Sequence, residues 1–133
     1  MKKELAESNI LIVGLARNCA GVICSEVQKI SDAFSNAKSV RWLIIESDSS
    51  DRTTDILKSM RKNLSLHFIS LGKLRETLHK RTERIAKCRN KYIEEIRDND
   101  EYALIDFVVV ADLDGINCKL TLESVMSCWE MEE

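Results

Sequence analysis

A chain of 133 residues, 44% of them hydrophobic, is long enough for one domain with a buried core. Its net charge of −2 excludes a molecule drawn as a whole to nucleic acid or to anionic membrane. No apolar run approaches the ~20 residues of a membrane span, and Met1-Lys2-Lys3-Glu4 lacks the apolar stretch of a signal peptide, so a cytoplasmic setting is expected, with a peripheral membrane position left open.

The elements follow in chain order. Asn9 to Leu15 (NILIVGL) is a continuous run of branched apolar residues, the pattern of a strand buried on both faces. Val22, Ile23, Val27, Ile30, Ala33, Phe34 and Ala37 then recur at helical spacing. Val40 to Glu46 (VRWLIIE) predicts a second strand, running into Ser47-Asp48-Ser49-Ser50-Asp51, where Ser50 or Asp51 can cap a helix carrying Ile56, Leu57 and Met60. Leu64 to Leu71 predicts a third strand, ended by Gly72. A long helix is expected from about Lys73 to Arg97, with Leu74, Leu78, Ile85, Cys88, Tyr92 and Ile96 as its stripe. Tyr102 to Ala111 predicts a fourth strand whose Phe107-Val108-Val109-Val110 should be buried, and about Thr121 to Met131 a last amphipathic helix.

Strand and helix alternate throughout, which is the signature of an α/β, Rossmann-like, doubly wound and mostly parallel sheet of about four strands with flanking helices. Ligands of such sheets bind beyond the carboxyl ends of the strands, where strand order reverses. The residues after the strands are therefore the candidates: Ala16-Arg17-Asn18, Glu46 to Asp51, and Asp112 to Asp114. Gly14-Leu15-Ala16-Arg17 does not match the glycine pattern of dinucleotide sites, which disfavours NAD or FAD.

Asp112 and Asp114 close a tetra-apolar strand, and Gly115 permits the turn that would let both reach one hard cation. Mg²⁺ or Mn²⁺ held there would neutralise a diphosphate as a leaving group. An acid such as Glu46 or Asp48 can accept hydrogen bonds from a ribose or a base. The segment from Lys73 to Lys91 sets eight cations against two acids, Glu76 and Glu83. Most read as a solvated helix face, and without interleaved aromatics to stack bases they do not predict nucleic-acid binding. Arg84, Arg89 and Asn90, near the apolar stripe, are the exceptions that could meet phosphate. The five cysteines (Cys19, Cys24, Cys88, Cys118, Cys128) form no paired CxxC, and His67 and His79 are isolated, so a structural zinc site is not expected.

Three ordered segments carry a resemblance. Ile44-Ile45-Glu46-Ser47-Asp48-Ser49-Ser50-Asp51-Arg52-Thr53 resembles the second-strand signature of GT-A glycosyltransferases. Arg84-Ile85-Ala86-Lys87-Cys88-Arg89-Asn90 resembles the Arg-Asn helix that precedes their metal motif, and Val110-Ala111-Asp112-Leu113-Asp114-Gly115 the DxD motif itself. The flavour is that of family 2-like and capsule-type enzymes related to fungal alpha-1,3-mannosyltransferases. The resemblance implies binding of a nucleotide-diphospho-sugar by Ala16, Arg17, Asn18, Glu46, Asp48, Arg84, Arg89 and Asn90, with Mn²⁺ or Mg²⁺ on Asp112 and Asp114. It also implies polysaccharide biosynthesis on a glycan or lipid-linked acceptor. Glu46-Ser47-Asp48-Ser49 replaces the common Asp-Asp-Gly-Ser turn, which leaves open which acid meets the base, and Arg52 replaces a usual glycine.

Residues 1–133 then correspond to a single donor-binding domain without the acceptor half and its general base, expected to be inactive or nearly so alone and with an apolar edge that favours a homo-oligomer. Two other readings compete. One is a non-catalytic nucleotide-binding module. The other is a haloacid-dehalogenase-like phosphatase with Asp112 as nucleophile, against which Ile116-Asn117 and the short remaining chain argue.

Overall fold

The computed structural model describes residues 3–113 and 120–130. Four parallel strands form one sheet in the order β3-β2-β1-β4: β1 (Asn9–Ala16), β2 (Ser39–Glu46), β3 (Leu66–Ser70) and β4 (Phe107–Asp112). Four helices connect or flank them, α1 (Ile23–Ala33), α2 (Thr53–Met60), α3 (Arg81–Asp98) and α4 (Leu122–Glu130). This is the Rossmann-like α/β architecture expected from the alternation of elements.

Period-2 alternation divides the side chains between two cores. Ile10, Ile12, Trp42 and Ile44 pack with α1, α2 and α4 on one face. Leu11, Val13, Leu43 and Ile45 pack with Cys88 and Tyr92 of α3 on the other. Covered on both sides, β1 and β2 need apolar residues at consecutive positions, hence NILIV and WLII. Fully burying each such side chain contributes about 1.5–3 kcal/mol.

β1 is central, and the sheet grows from it through β2 to β3 on one side and to β4 on the other, so strand order reverses between β1 and β4. Gly14 lies at that junction. A Cβ there would sit 2.8 Å from Leu113 Cδ1 and 3.1 Å from the Ala111 carbonyl oxygen. The missing side chain lets Leu113, buried at the end of β4, fold across β1.

Two boundaries differ from the expected ones. The helical pattern after β3 starts at Arg81, not Lys73. Gly72 adopts φ 68°, Leu74–Glu76 form a single 3-10 turn, and Leu74 is buried against the α3-side core, so Leu74 and Leu78 precede the helix. Tyr102 likewise ends a 3-10 turn, and β4 begins at Phe107, where Asp106 and Asn9 exchange hydrogen bonds that fix its register on β1.

The largest correction concerns the burial of β4. Its residues alternate between half-buried and exposed, with Val108 at 43% and Val110 at 65% exposure. β4 is an edge strand, and α3 covers β1 and β2 instead of reaching it. Its other face is covered: Phe107 meets Trp129 of α4 edge-on, at 5.2 Å between ring centroids, and Trp129 Nε1 donates to the Lys3 carbonyl. Among the described residues no helix is long and apolar enough to cross a membrane.

Candidate functional site: a cleft at the strand-order switch

A cleft of about 460 Å³ opens beyond the carboxyl ends of β1, β2 and β4, at the reversal of strand order. Its floor is Gly14 to Cys19 and its walls are Ser47-Asp48, the inner flank of α3 and Val110 to Leu113. Of the residues singled out in the sequence, Ala16, Arg17, Asn18, Asp48, Arg84, Arg89 and Asp112 line it. Glu46 and Asn90 do not, and Asp114 lies outside the described residues.

Hydrogen bonds stitch the loops after β1 and β2 together. Asn18, in the left-handed region at φ 47°, accepts on Oδ1 from the Ser50 backbone N–H at 2.7 Å, and its own N–H donates to Ser49 Oγ. Asp51 accepts from Ala20 N–H and from both the backbone N–H and the hydroxyl of Thr53, and Thr53 Oγ1 accepts from Cys19 N–H. Those bonds, led by the one from the Thr53 hydroxyl, hold the Asp51 carboxyl below the usual carboxylate range. Arg52 is the residue directly preceding α2, but Asp51 supplies the oxygen that takes the first helical N–H. Asn18 therefore spends its side-chain oxygen on the loop, and its place in the cleft is structural first.

The two acids after β2 differ sharply. Glu46 is 2% exposed, and its carboxylate accepts from the Ser49 N–H and the Ser70 hydroxyl, so it is spent inside the protein. Asp48 adopts φ 58° and lines the cleft. Its backbone N–H donates to the Gly72 carbonyl and its Oδ1 accepts from the Arg75 N–H. Its Oδ2 is buried with no hydrogen-bond partner among the described residues. Such an orphaned acceptor is costly unless a ligand supplies the donor.

Four arginines also line the cleft, Arg17 on its floor and Arg81, Arg84 and Arg89 from α3. Nη1 of Arg84 donates to the Leu78 and His79 carbonyls, which anchors the approach to α3. Arg17, Arg81 and Arg89 are exposed and form no ion pair among the described residues. Arg81 was hidden in the sequence within the basic run; its spacing of four from Ile85 and of eight from Arg89 is the signal that could have found it.

Cys19 and Cys88 also line the cleft, and burial pushes both thiols up from the usual range, which leaves them protonated and poor nucleophiles at neutral pH. Asp112, exposed at the end of β4, contributes a carboxylate at the rim. Among the described residues no three acids, histidines or cysteines gather as a metal cage. One or two carboxylates completed by substrate phosphates are, however, how Mg²⁺ is commonly bound, and Asp112 beside a cationic cleft fits that donor set.

No protein-family model matches the chain, and no curated protein matches it. Solved structures do. Crystal structures of S. aureus TarS residues 1–349 align with TM-scores of 0.57 for the complex with UDP, 0.59 without ligand and 0.58 for the complex with UDP-GlcNAc, at 17%, 14% and 14% identity. The alignments cover 80%, 90% and 90% of this chain but only 27%, 31% and 30% of the TarS chains. The chain thus spans less than a third of the length of those structures, and what it shares with them is a GT-A-like fold.

Proposed function

We propose that the chain is the donor-binding part of a glycosyltransferase and that its cleft holds a nucleotide-diphospho-sugar. The observation that carries this reading is the orphaned Asp48 Oδ2, buried in a cleft lined by four arginines. A carboxylate in that position can accept from a base N–H, as uracil and guanine present, while guanidinium groups suit a diphosphate. Crystals of a GT-A-like neighbour hold UDP and UDP-GlcNAc, which makes a uridine diphospho-sugar the first donor to try. Asp48, not Glu46, is then the acid that reads the base.

Arg81, Arg84 and Arg89 would take the diphosphate side, with Arg17 at the floor. Asp112 and Asp114 would hold Mn²⁺ or Mg²⁺, which when bound supplies positive charge for the departing diphosphate. Residues 1–133 would act as one donor-binding domain, and the transfer it serves would be to a glycan or lipid-linked acceptor. Titration calorimetry with UDP, GDP, ADP and CDP tests the base-reading role. Asp48→Ala is expected to weaken the preferred diphosphate by about fivefold to a hundredfold, the effect of losing one charge-assisted hydrogen bond, and to erase base preference. Equal affinity for all four nucleotides in the unaltered chain would sink the assignment of Asp48.

A further inference from the structure

We infer that the outer face of the approach to α3, built from Lys73, Arg75, Lys80 and Lys87, docks on an anionic lipid surface. From residue 73 to residue 91 the chain carries eight cations and two acids, whereas the remaining residues carry twelve cations and twenty acids. The charge is thus concentrated in one segment of a molecule that is acidic elsewhere. All four side chains are exposed, none lines the cleft, and none forms an ion pair among the described residues.

The cations crowd the start of α3, where Lys80, Arg81, Arg84 and Lys87 stand against the single acid Glu83, whereas Glu94, Glu95 and Asp98 outnumber Arg97 toward its end. The partial positive charge of the helix N-terminus adds to that cationic field. Lys80 and Lys87 lie seven residues apart, close to two helical turns, so they share one flank at the start of α3. A stripe of basic residues with the half-exposed Leu78 beside it suits phosphate headgroups over a shallow apolar layer. His79 is the one exposed aromatic side chain in the segment, too few to stack successive bases, which disfavours a single-stranded nucleic acid.

The inference is independent of the donor reading, because these side chains lie outside the cleft. Co-sedimentation of the whole chain with phosphatidylcholine vesicles, and with vesicles containing about one-third phosphatidylglycerol, tests it. Binding is expected only to the anionic vesicles, and release on raising salt from about 0.1 M to about 0.5 M. Lys73→Glu/Lys80→Glu/Lys87→Glu should weaken vesicle binding by about a hundredfold, from roughly fivefold per lysine. Arg75 is left intact so that the turn whose backbone N–H holds Asp48 stays unaltered.

The same variant should keep its nucleotide affinity and its Tm, since Lys73, Lys80 and Lys87 are exposed and form no ion pair among the described residues. A control with equal net charge, Lys29→Glu/Lys58→Glu/Lys62→Glu, exposed elsewhere, should bind anionic vesicles within about twofold of the unaltered chain. Indifference of the unaltered chain to anionic vesicles would overturn the inference. So would equal loss in the control, or tighter binding to a single-stranded RNA than to the vesicles at the same salt.

Discussion

β1 and β4 are neighbours in the sheet and both read as apolar runs, yet they occupy different environments. β1 is sealed on both faces, with Ile10 to Val13 fully buried, whereas β4 shows Val108 and Val110 to solvent on the face that α3 does not reach. The cleft spans the boundary between them. Its β1–β2 side is fixed by the hydrogen bonds among Asn18, Ser49, Ser50, Asp51 and Thr53, and its β4 side carries the Asp112 carboxylate on an edge strand. The β1–β2 side of the cleft is thus held in place by hydrogen bonds, and its β4 rim stands on the open side of the sheet.

The contrast can be broken by substitution. Leu43→Ala, at the centre of the sealed side, should cost about 2–5 kcal/mol in urea unfolding through lost burial and a cavity. Val110→Ala should stay within about 0.5 kcal/mol, because a side chain so exposed loses little. A large destabilisation by the second would mean that something covers β4 in solution. Gly14→Ala should cost about 1–3 kcal/mol by forcing Leu113 off β1, and it should weaken nucleotide binding by reshaping the floor between the two strands. Asn18→Ala removes an acceptor from the loop stitch and should cost about 1 kcal/mol, with faster hydrogen exchange of the Ser50 and Asp51 amides as the more direct readout.

A smaller effect concerns pH. The Asp51 and Asp106 carboxyls are both held below their usual range, Asp51 chiefly by the Thr53 hydroxyl and Asp106 chiefly by the Asn9 N–H. A carboxyl depressed on folding adds stability that is present above its unfolded pKa of about 3.9 and is lost as pH falls through the folded value. Unfolding midpoints should therefore fall with acid below about pH 4. Thr53→Val should flatten that slope and leave the midpoint's dependence near neutral pH unchanged. An unchanged acid slope in Thr53→Val would contradict the role given to that hydroxyl.

Much of the fold was legible because burial on both faces demands consecutive apolar residues, which NILIVGL and VRWLIIE display. The exposure of β4 was not, since Phe107 to Val110 reads the same whether one face or both are covered; what decides it is that α3 lies over β1 and β2. The start of α3 was hidden for a related reason. Lys73 to Lys80 contains good helix formers, but Gly72 and the burial of Leu74 turn the chain first. In the site, strand periodicity puts Glu46 and Asp48 on the same footing, and only the hydrogen bonds of the folded chain separate the spent Glu46 from Asp48, which lines the cleft with an unpartnered oxygen. Arg81 was masked by its basic neighbours. Asp114, half of the expected metal pair, lies outside the described residues.

The most direct test of the donor-cleft account is calorimetric titration of the chain with UDP, with and without Mn²⁺, beside Asp112→Asn. The account predicts binding that strengthens at least about tenfold with Mn²⁺, in line with a phosphate-bridged carboxylate site, and loss of that strengthening in Asp112→Asn with the metal-independent part retained. Binding of equal strength in all four combinations, or no binding of any nucleoside diphosphate, would contradict it.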